Sequence, residues 1–264
     1  MVLAAGRGTR MRAAASPDLT AAQRAMAERG LKAMVPVGRP FLDYVLSGLA
    51  DAGLHRVCVV IGPSHQAVRE YYNGPGRPSR VHLEFAEQAQ PLGTADAVLA
   101  AEGFAGGAPV VVLNSDNLYP GSALQALRAL PRAGLAAWHR SALLAPGTIP
   151  EERINAFALL EVDAEGTLTR ILEKPSAAEA ASFGADPLVS MNAWLLPPTI
   201  FAACRAVTPS PRGELELQDA VRHCIAALGE RFQVVAARGA VLDLSQQSDI
   251  PVVAERLRAL EARP

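Results

Sequence analysis

Lysine is scarce in this chain. Of its 25 basic residues only Lys32 and Lys174 are lysine, and the rest are arginine. Where composition favours arginine so strongly, a retained lysine is unusual, and each of the two is a candidate functional residue, the plainer alternative being a solvated lysine on a loop or turn. Cysteine is scarce as well. Cys58, Cys204 and Cys224 lie far apart and are odd in number. They form no CxxC pair, so neither a zinc site nor a disulfide framework is indicated, and each reads as a small buried apolar residue. An excess of one charge is also missing. The formal net charge is −1, which gives no general field for nucleic acid or anionic membrane, so any phosphate binding has to be local. No stretch approaches the roughly 18 apolar residues of a membrane span. The chain enters Val2 to Ala5 directly, without a signal-peptide pattern. Together these absences point to the cytoplasm. The histidines His55, His65, His82, His139 and His223 show neither metal-ligand spacing nor a triad with serine.

What is present is ordinary globular composition, 50% hydrophobic and 19% charged over 264 residues. Short apolar runs alternate with helical patterns. Val57 to Ile61, Val110 to Leu113, Ala136 to His139, Ala156 to Glu161 and Ala193 to Leu196 read as strands, mostly of the kind covered on both faces. Pro40 to Gly53, Ala95 to Glu102 and Ser122 to Leu130 read as helices, and Pro211 to Leu228 turns helical. Pro146 to Arg153 reads as a loop, and Asp163 to Gly166 as a turn between two strands. The order predicts an α/β fold with a mostly parallel, partly mixed central sheet flanked by helices. Ligands of such sheets bind at the carboxyl ends of the strands. One continuous unit is expected: residues 1–135 for the nucleotide, 136–249 for the acceptor, and a final helix, Ile250 to Leu260, packed on the outside.

The opening VLAAGRGTRMR runs a short strand into Gly6-Arg7-Gly8-Thr9-Arg10. Glycines let backbone N–H groups approach phosphate oxygens closely, and Thr9 and Arg10 add a hydroxyl and a charged fork. Arg7, Arg10 and Arg12 form a local basic cluster. Neither GxxxxGK[ST] nor GxGxxG is present. A bare GxG is also a tight turn. Asp116, in LNSDNLYP just past an apolar strand, is placed to hold a divalent ion, or equally to shape a turn, and its neighbours Asn114 and Asn117 also suit turn work.

The opening and the later segment Lys32-Ala33-Met34-Val35-Pro36-Val37 resemble the sugar nucleotidyltransferase family. Its members include glucose-1-phosphate thymidylyltransferases and UTP–sugar-1-phosphate uridylyltransferases. The motifs run in the family's order along nearly the whole chain. The resemblance implies a Rossmann-like nucleotide-diphospho-sugar transferase fold and Mg²⁺-dependent in-line transfer. A pyrimidine NTP, UTP or dTTP, and a sugar 1-phosphate would be joined with release of pyrophosphate, without a covalent intermediate. It implies that Leu3, Ala4, Ala5, Gly6, Gly8 and Thr9 cradle the nucleotide, with Arg10 and Lys32 as catalytic charges on the triphosphate. Gln88, in QAQPLGTADA, would read the base, with Gly93 and Thr94 beside it and Gln90 as competitor. Thr94 is at the same time a candidate N-cap. Asp116 and Asp243 would hold the metal, with Asp249 as fallback, and Glu173, Lys174 and Asn192 would bind the sugar phosphate. Glu214 lies in another acceptor-side segment, where a helix N-terminal acid is the plainer reading.

The chain departs from the family in several places. Val241 and Ser245 replace the Trp and Gly that flank the family's second metal aspartate, and Ala193 and Trp194 follow Asn192. Between Met11 and Lys32 lies an unusually long insertion with Thr20 as helix cap, either a lid or a surface helix. The competing expectations are a cytidylyl- or guanylyltransferase acting on a non-sugar phosphate, and a non-catalytic sugar-nucleotide-binding subunit. A homo-oligomer is possible, but no hexapeptide β-helix repeat is present to trimerise it. No nucleic-acid or membrane partner is expected.

Overall fold

In the strand β2 (Arg56–Ile61) successive side chains go to different cores. Val57, Val59 and Ile61 enter one, and Cys58 and Val60 the other. The computed structural model describes residues 1–13, 16–145 and 148–264, and this division repeats across it. In β4 (Val110–Asn114), Leu113 faces the first core and Val110 and Val112 the second; in β6 (Gly134–His139), Ala136 and Trp138 face the first, Leu135 and Ala137 the second. Strands with helices on both faces have no polar side, which is why they read as continuous apolar runs. The buried rings of Trp138 and Trp194 anchor one core each. Each large side chain fully buried in this way contributes about 1.5–3 kcal/mol.

The remaining strands are β1 (Val2–Leu3), β3 (His82–Glu87), β5 (Asn117–Leu118), β7 (Ala158–Val162), β8 (Leu168–Leu172), β9 (Leu188–Leu196), β10 (Gln233–Ala236) and β11 (Leu242–Asp243). Nine of the eleven strands among the described residues form one sheet in the order β10-β6-β9-β4-β1-β2-β3, with β7 pairing β9 and β8 pairing β7 off this path. The β1, β2, β3 and β4 pairings are parallel, as is β10 with β6, while β9 runs antiparallel to β4, β6 and β7. The architecture is therefore the expected mixed α/β sheet. β5 and β11 form a separate antiparallel pair.

Helix Phe41–Asp51 covers the first core; helices Thr94–Ala100, Ile200–Ala206 and Leu217–Leu228 cover the second. Asp43, inside the first of these, is fully buried but satisfied by the Tyr72 hydroxyl at 2.7 Å and by Arg39 at 2.6 Å. The expected helix from Pro211 begins only at Leu217. Residues 211–216 instead run alongside the turn at Gly93, with Leu215 N–H donating to Leu92 O and Ala95 N–H to Leu215 O. Within the expected loop Pro146 to Arg153, residues 146–147 lie outside the described residues, and Glu151–Ile154 form a helical turn. The final helix, Asp249–Leu257, is anchored by buried Ile250, Val253 and Leu257. All three cysteines are free and buried. Among the described residues no helix is long and apolar enough to cross a membrane.

Candidate active site

β1 ends at Leu3 and runs parallel to β2 and β4, so its continuation, Ala4 to Gly8, emerges at their carboxyl ends. A side chain at Gly6 would meet nothing within 4 Å, so its backbone faces open space. Gly8 is different. Its φ is +63°, and a Cβ there would lie 2.4 Å from Gly30 O, so glycine is required by packing against the end of the insertion. The insertion helix Ala21–Glu28 starts at the N-cap expected at Thr20, and Gln23 completes a capping box with it. From its end the chain passes Gly30 and Leu31 into a 3₁₀ turn, Lys32–Met34. Gln247 ties down the loop's other side by donating to Met11 O and accepting from Ser16 N–H.

These segments and the ends of β1 and β4 enclose a cleft of about 450 Å³. Leu3, Ala4, Ala5, Gly6, Thr9, Arg10, Lys32, Gln88, Gly93, Thr94 and Asp116 all line it, as do Arg7, Asn114 and His65. Lys32 Nζ donates to Asp116 Oδ2 at 2.7 Å, both side chains being partly exposed. Arg7 and Arg10 are exposed at the rim, and neither guanidinium has an ion-pair partner among the described residues. Most arginines elsewhere are paired with carboxylates. Unpaired cations beside an open glycine backbone suit a polyanion.

Gln88 is 4% exposed, and its amide N–H₂ donates to Gly93 O at 2.9 Å and to Asp96 Oδ2 at 2.7 Å. Gln90, the competitor, is exposed and does not line the cleft. Gly93 has φ +128°, and a Cβ there would come within 2.4 Å of Leu215 O, so the backbone of residue 215 is what lies against it. Thr94 is not the N-cap. The helix begins with it and Gly93 caps, while the Thr94 hydroxyl accepts from Leu217 N–H at 2.9 Å. The returning segment needs a partner for that N–H, and the hydroxyl supplies it. Glu214, expected on the acceptor side, lines this first cleft instead.

Asp243 departs most from expectation. It sits on β11 directly opposite Asn117, one residue from Asp116, yet it is 3% exposed and does not line the cleft. Its Oδ1 accepts from Ser245 Oγ at 2.7 Å and Asn117 Nδ2 at 3.2 Å, and its Oδ2 accepts from Arg153 at 2.6 Å. Asp249 is held by the same guanidinium through two bonds of 2.9 Å and by the N–H groups of Ser245 and Gln246. Burial, then the nearby Asp116, pushes the Asp243 carboxyl upward, and Arg153 and Ser245 pull it back. Among the described residues no group of three or more His, Cys, Asp or Glu side chains is arranged around a metal. Asp116 alone fits a divalent ion, since Mg²⁺ is usually held by one or two carboxylates together with substrate phosphates. The Asp243 carboxylate, filled by donors and neutralised by Arg153, does not fit as its second ligand.

A second cavity, of about 740 Å³, is lined by Glu173, Lys174, Arg212, Glu216, Gln218 and Arg222, among others. Glu216 and Gln218 lie just beyond Glu214, so one segment borders both spaces. Burial, then Glu216, raises Glu173 to about 7, opposed by Arg212 and Arg222. Lys174 has φ +49° and Asn192 φ +57°, the two non-glycine residues with positive φ among the described ones. Asn192 sits in a bulge where the β6–β9 register shifts, and asparagine tolerates that backbone better than most residues. It lines neither space. Its Oδ1 accepts from Gln218 Nε2 at 2.9 Å and from Trp194 Nε1 at 3.4 Å.

The family pattern described as "Nucleotidyl transferase" matches residues 1–249. The chain belongs to the nucleotidyl transferase family. It is 29% identical over 228 residues to glucose-1-phosphate thymidylyltransferase of Streptomyces griseus, covering 86% of this chain and 57% of that protein. It is 26% identical to UTP–glucose-1-phosphate uridylyltransferase AglF of Haloferax volcanii, covering 98% of this chain and 96% of the other. The chain spans little more than half the length of several curated relatives it matches. A crystal structure of UDP-glucose pyrophosphorylase complexed with UDP-glucose has the same fold, with a TM-score of 0.76 at 18% identity and 98% coverage of both chains.

Sequence reasoning passed over several residues around this nucleotidyl transferase cleft. Arg153 carried no signal beyond being one arginine in an acidic stretch, because its partners are about ninety residues away. His65, given no role, is buried against the loop, where its ring bonds the Ala4 backbone and accepts from Gly62 N–H at 3.4 Å. Burial, with Arg12 and Arg29 nearby, lowers its pKa and favours the neutral ring. Asp96 was visible only as a helix first-turn acid.

Proposed function

We propose that this nucleotidyl transferase joins the nucleoside monophosphate unit of UTP or dTTP to a sugar 1-phosphate and releases pyrophosphate. The observation that carries the reading is the convergence, in one cleft at the carboxyl ends of parallel strands, of the open Gly6 backbone, Arg7 and Arg10, which have no ion-pair partner among the described residues, and the Lys32–Asp116 pair. The loop and both arginines hold the triphosphate, and Gln88 meets the base. Lys174 and Glu173 receive the acceptor in the neighbouring cavity. An acceptor phosphate oxygen then attacks the α-phosphorus, the bond to the bridging oxygen breaks, and pyrophosphate leaves in line. The acceptor phosphate is already ionised near neutral pH, so no protein base is required. Catalysis consists of positioning and charge neutralisation. A divalent cation, when bound, adds charge neutralisation on the phosphates, and Asp116 is the side chain that would hold it.

Lys32 has a double part in this scheme. Without substrate it neutralises Asp116, and with substrate it is free to pair with phosphate oxygens. Glu173, near its midpoint at neutral pH, both donates to and accepts from sugar hydroxyls. The test is pyrophosphate release from a matrix of NTPs and sugar 1-phosphates, with and without EDTA. Release restricted to UTP or dTTP with a sugar 1-phosphate is the expected result. Release only with an alditol or choline phosphate, or none with any pair, refutes it.

A further inference from the structure

The Gln88 amide is held on its nitrogen side by two groups, Gly93 O and Asp96 Oδ2. Both are acceptors, a carbonyl and an ionised carboxylate. The side chain cannot turn over without placing its own oxygen against two others, one of them charged. Oε1 is the atom left to face outward. No donor among the described residues reaches it, and Gln88 lines the nucleotide cleft. The cleft therefore receives from this side chain an acceptor and no donor.

That polarity sorts the bases. Uracil and thymine present a donor at N3, and guanine presents one at N1. Cytosine at N3 and adenine at N1 present acceptors, which would face Oε1 lone pair to lone pair. A site built to pair with one polarity penalises the other, because a desolvated polar atom is left without its hydrogen bond. Of the two groups on the amide nitrogen, Gly93 O belongs to the backbone. Asp96 is the one a substitution can remove, and the charged one, so it makes the stronger bond.

We infer that Asp96 is the positioning residue that determines which nucleobases the cleft accepts, by locking the Gln88 amide with its oxygen toward the base. The inference rests on the nucleotide occupying this cleft as proposed above. Asp96 also lies in the first turn of helix Thr94–Ala100, where a carboxylate favours the helix N-terminus. That role alone would weaken the fold alike for every nucleotide and leave their ratio unchanged. The lock predicts a changed ratio.

The experiment is calorimetric titration of the wild type, Asp96→Asn and Asp96→Leu with UMP and with CMP, alongside melting temperatures and pyrophosphate release from UTP and CTP. The wild type should favour UMP. Asp96→Leu should narrow the UMP-to-CMP preference by about tenfold, the low end for one hydrogen bond to a charged group. Asp96→Asn should narrow it less, since its amide oxygen can still accept. If Asp96→Leu does not fold, Asp96→Asn carries the test. A wild type that prefers CMP, or folded variants that keep the wild-type ratio, overturns the inference. Should no NTP and sugar 1-phosphate pair release pyrophosphate, the proposed reaction fails, while the binding ratio still decides the part played by Asp96.

Discussion

Asp243 lies on β11 and Asp116 in the turn that leads into its partner strand β5, and Leu244 N–H donates to Asp116 O at 2.8 Å, yet the two carboxylates occupy different chemical settings. Asp116 is 21% exposed and has one charged partner, Lys32, at the edge of an open cleft. Asp243 is sealed with Asp249 around Arg153, itself 9% exposed. The difference comes from a third element, the helical turn Glu151–Ile154, which delivers the guanidinium. A partly exposed pair can exchange partners at little cost. A buried network cannot, because removing one member strands a charge out of water. The open carboxylate is therefore suited to ligand chemistry and the closed one to holding β11 and the final helix in place.

The comparison can be broken most forcefully at Arg153. Arg153→Met leaves two buried carboxylates without their cation and should lower stability by about 3–5 kcal/mol in urea unfolding. An unchanged midpoint would mean that the network is not closed in solution. Asp116→Asn should act on rate instead. Turnover falls at least ~100-fold, the size of losing one charge-stabilising group, while stability stays within about 1 kcal/mol. Lys32→Met should match it, and near-normal pyrophosphate release in either folded variant would remove that residue from the reaction. Asp243→Asn sharpens the contrast. It should cost about 1–3 kcal/mol of stability by weakening the bond to Arg153 and reduce turnover far less than Asp116→Asn does. Equal losses of turnover in the two variants would restore Asp243 as a metal ligand.

The smallest effect concerns pH and the second cavity. Glu173 is raised from its ordinary value of 4.5 to about 7. Between those values the folded chain keeps a proton that the unfolded chain has lost. This group's contribution is thus fully present below 4.5, declines as pH rises toward 7, and is level above. Glu173→Gln should flatten that part of a melting-temperature profile, and an unchanged slope would assign it to another group.

How much could be read in advance follows from burial. β2, β4 and β6 are covered on both faces and appear as apolar runs. β3 and β10, at the two edges of the sheet, are half-exposed and carry polar residues, so HLEFAE and QVVA gave no such signal. In the cleft, the glycine loop, Lys32, Gln88 and Asp116 were legible because each sits in a short local motif. Glycine was expected at positions 8 and 93 for close approach to a ligand. What approaches Gly8 and Gly93 in the structure is Gly30 and Leu215, contacts between segments far apart in sequence.

Local sequence was enough to set the alternation of strands and helices, the strand-to-loop opening, the capped insertion helix and the identity of the charges available for phosphate. Those depend on side-chain period, backbone freedom and residue type, which neighbours along the chain decide. The tertiary structure alone decided which charges are free and which are spent. Among the described residues Arg7 and Arg10 have no ion-pair partner, while Arg153 is consumed by Asp243 and Asp249, and the Gln88 amide points one way because Asp96 and Gly93 O hold it. An ion pair or hydrogen bond forms or fails over a few ångströms, and only the folded chain brings residues ninety positions apart to that distance.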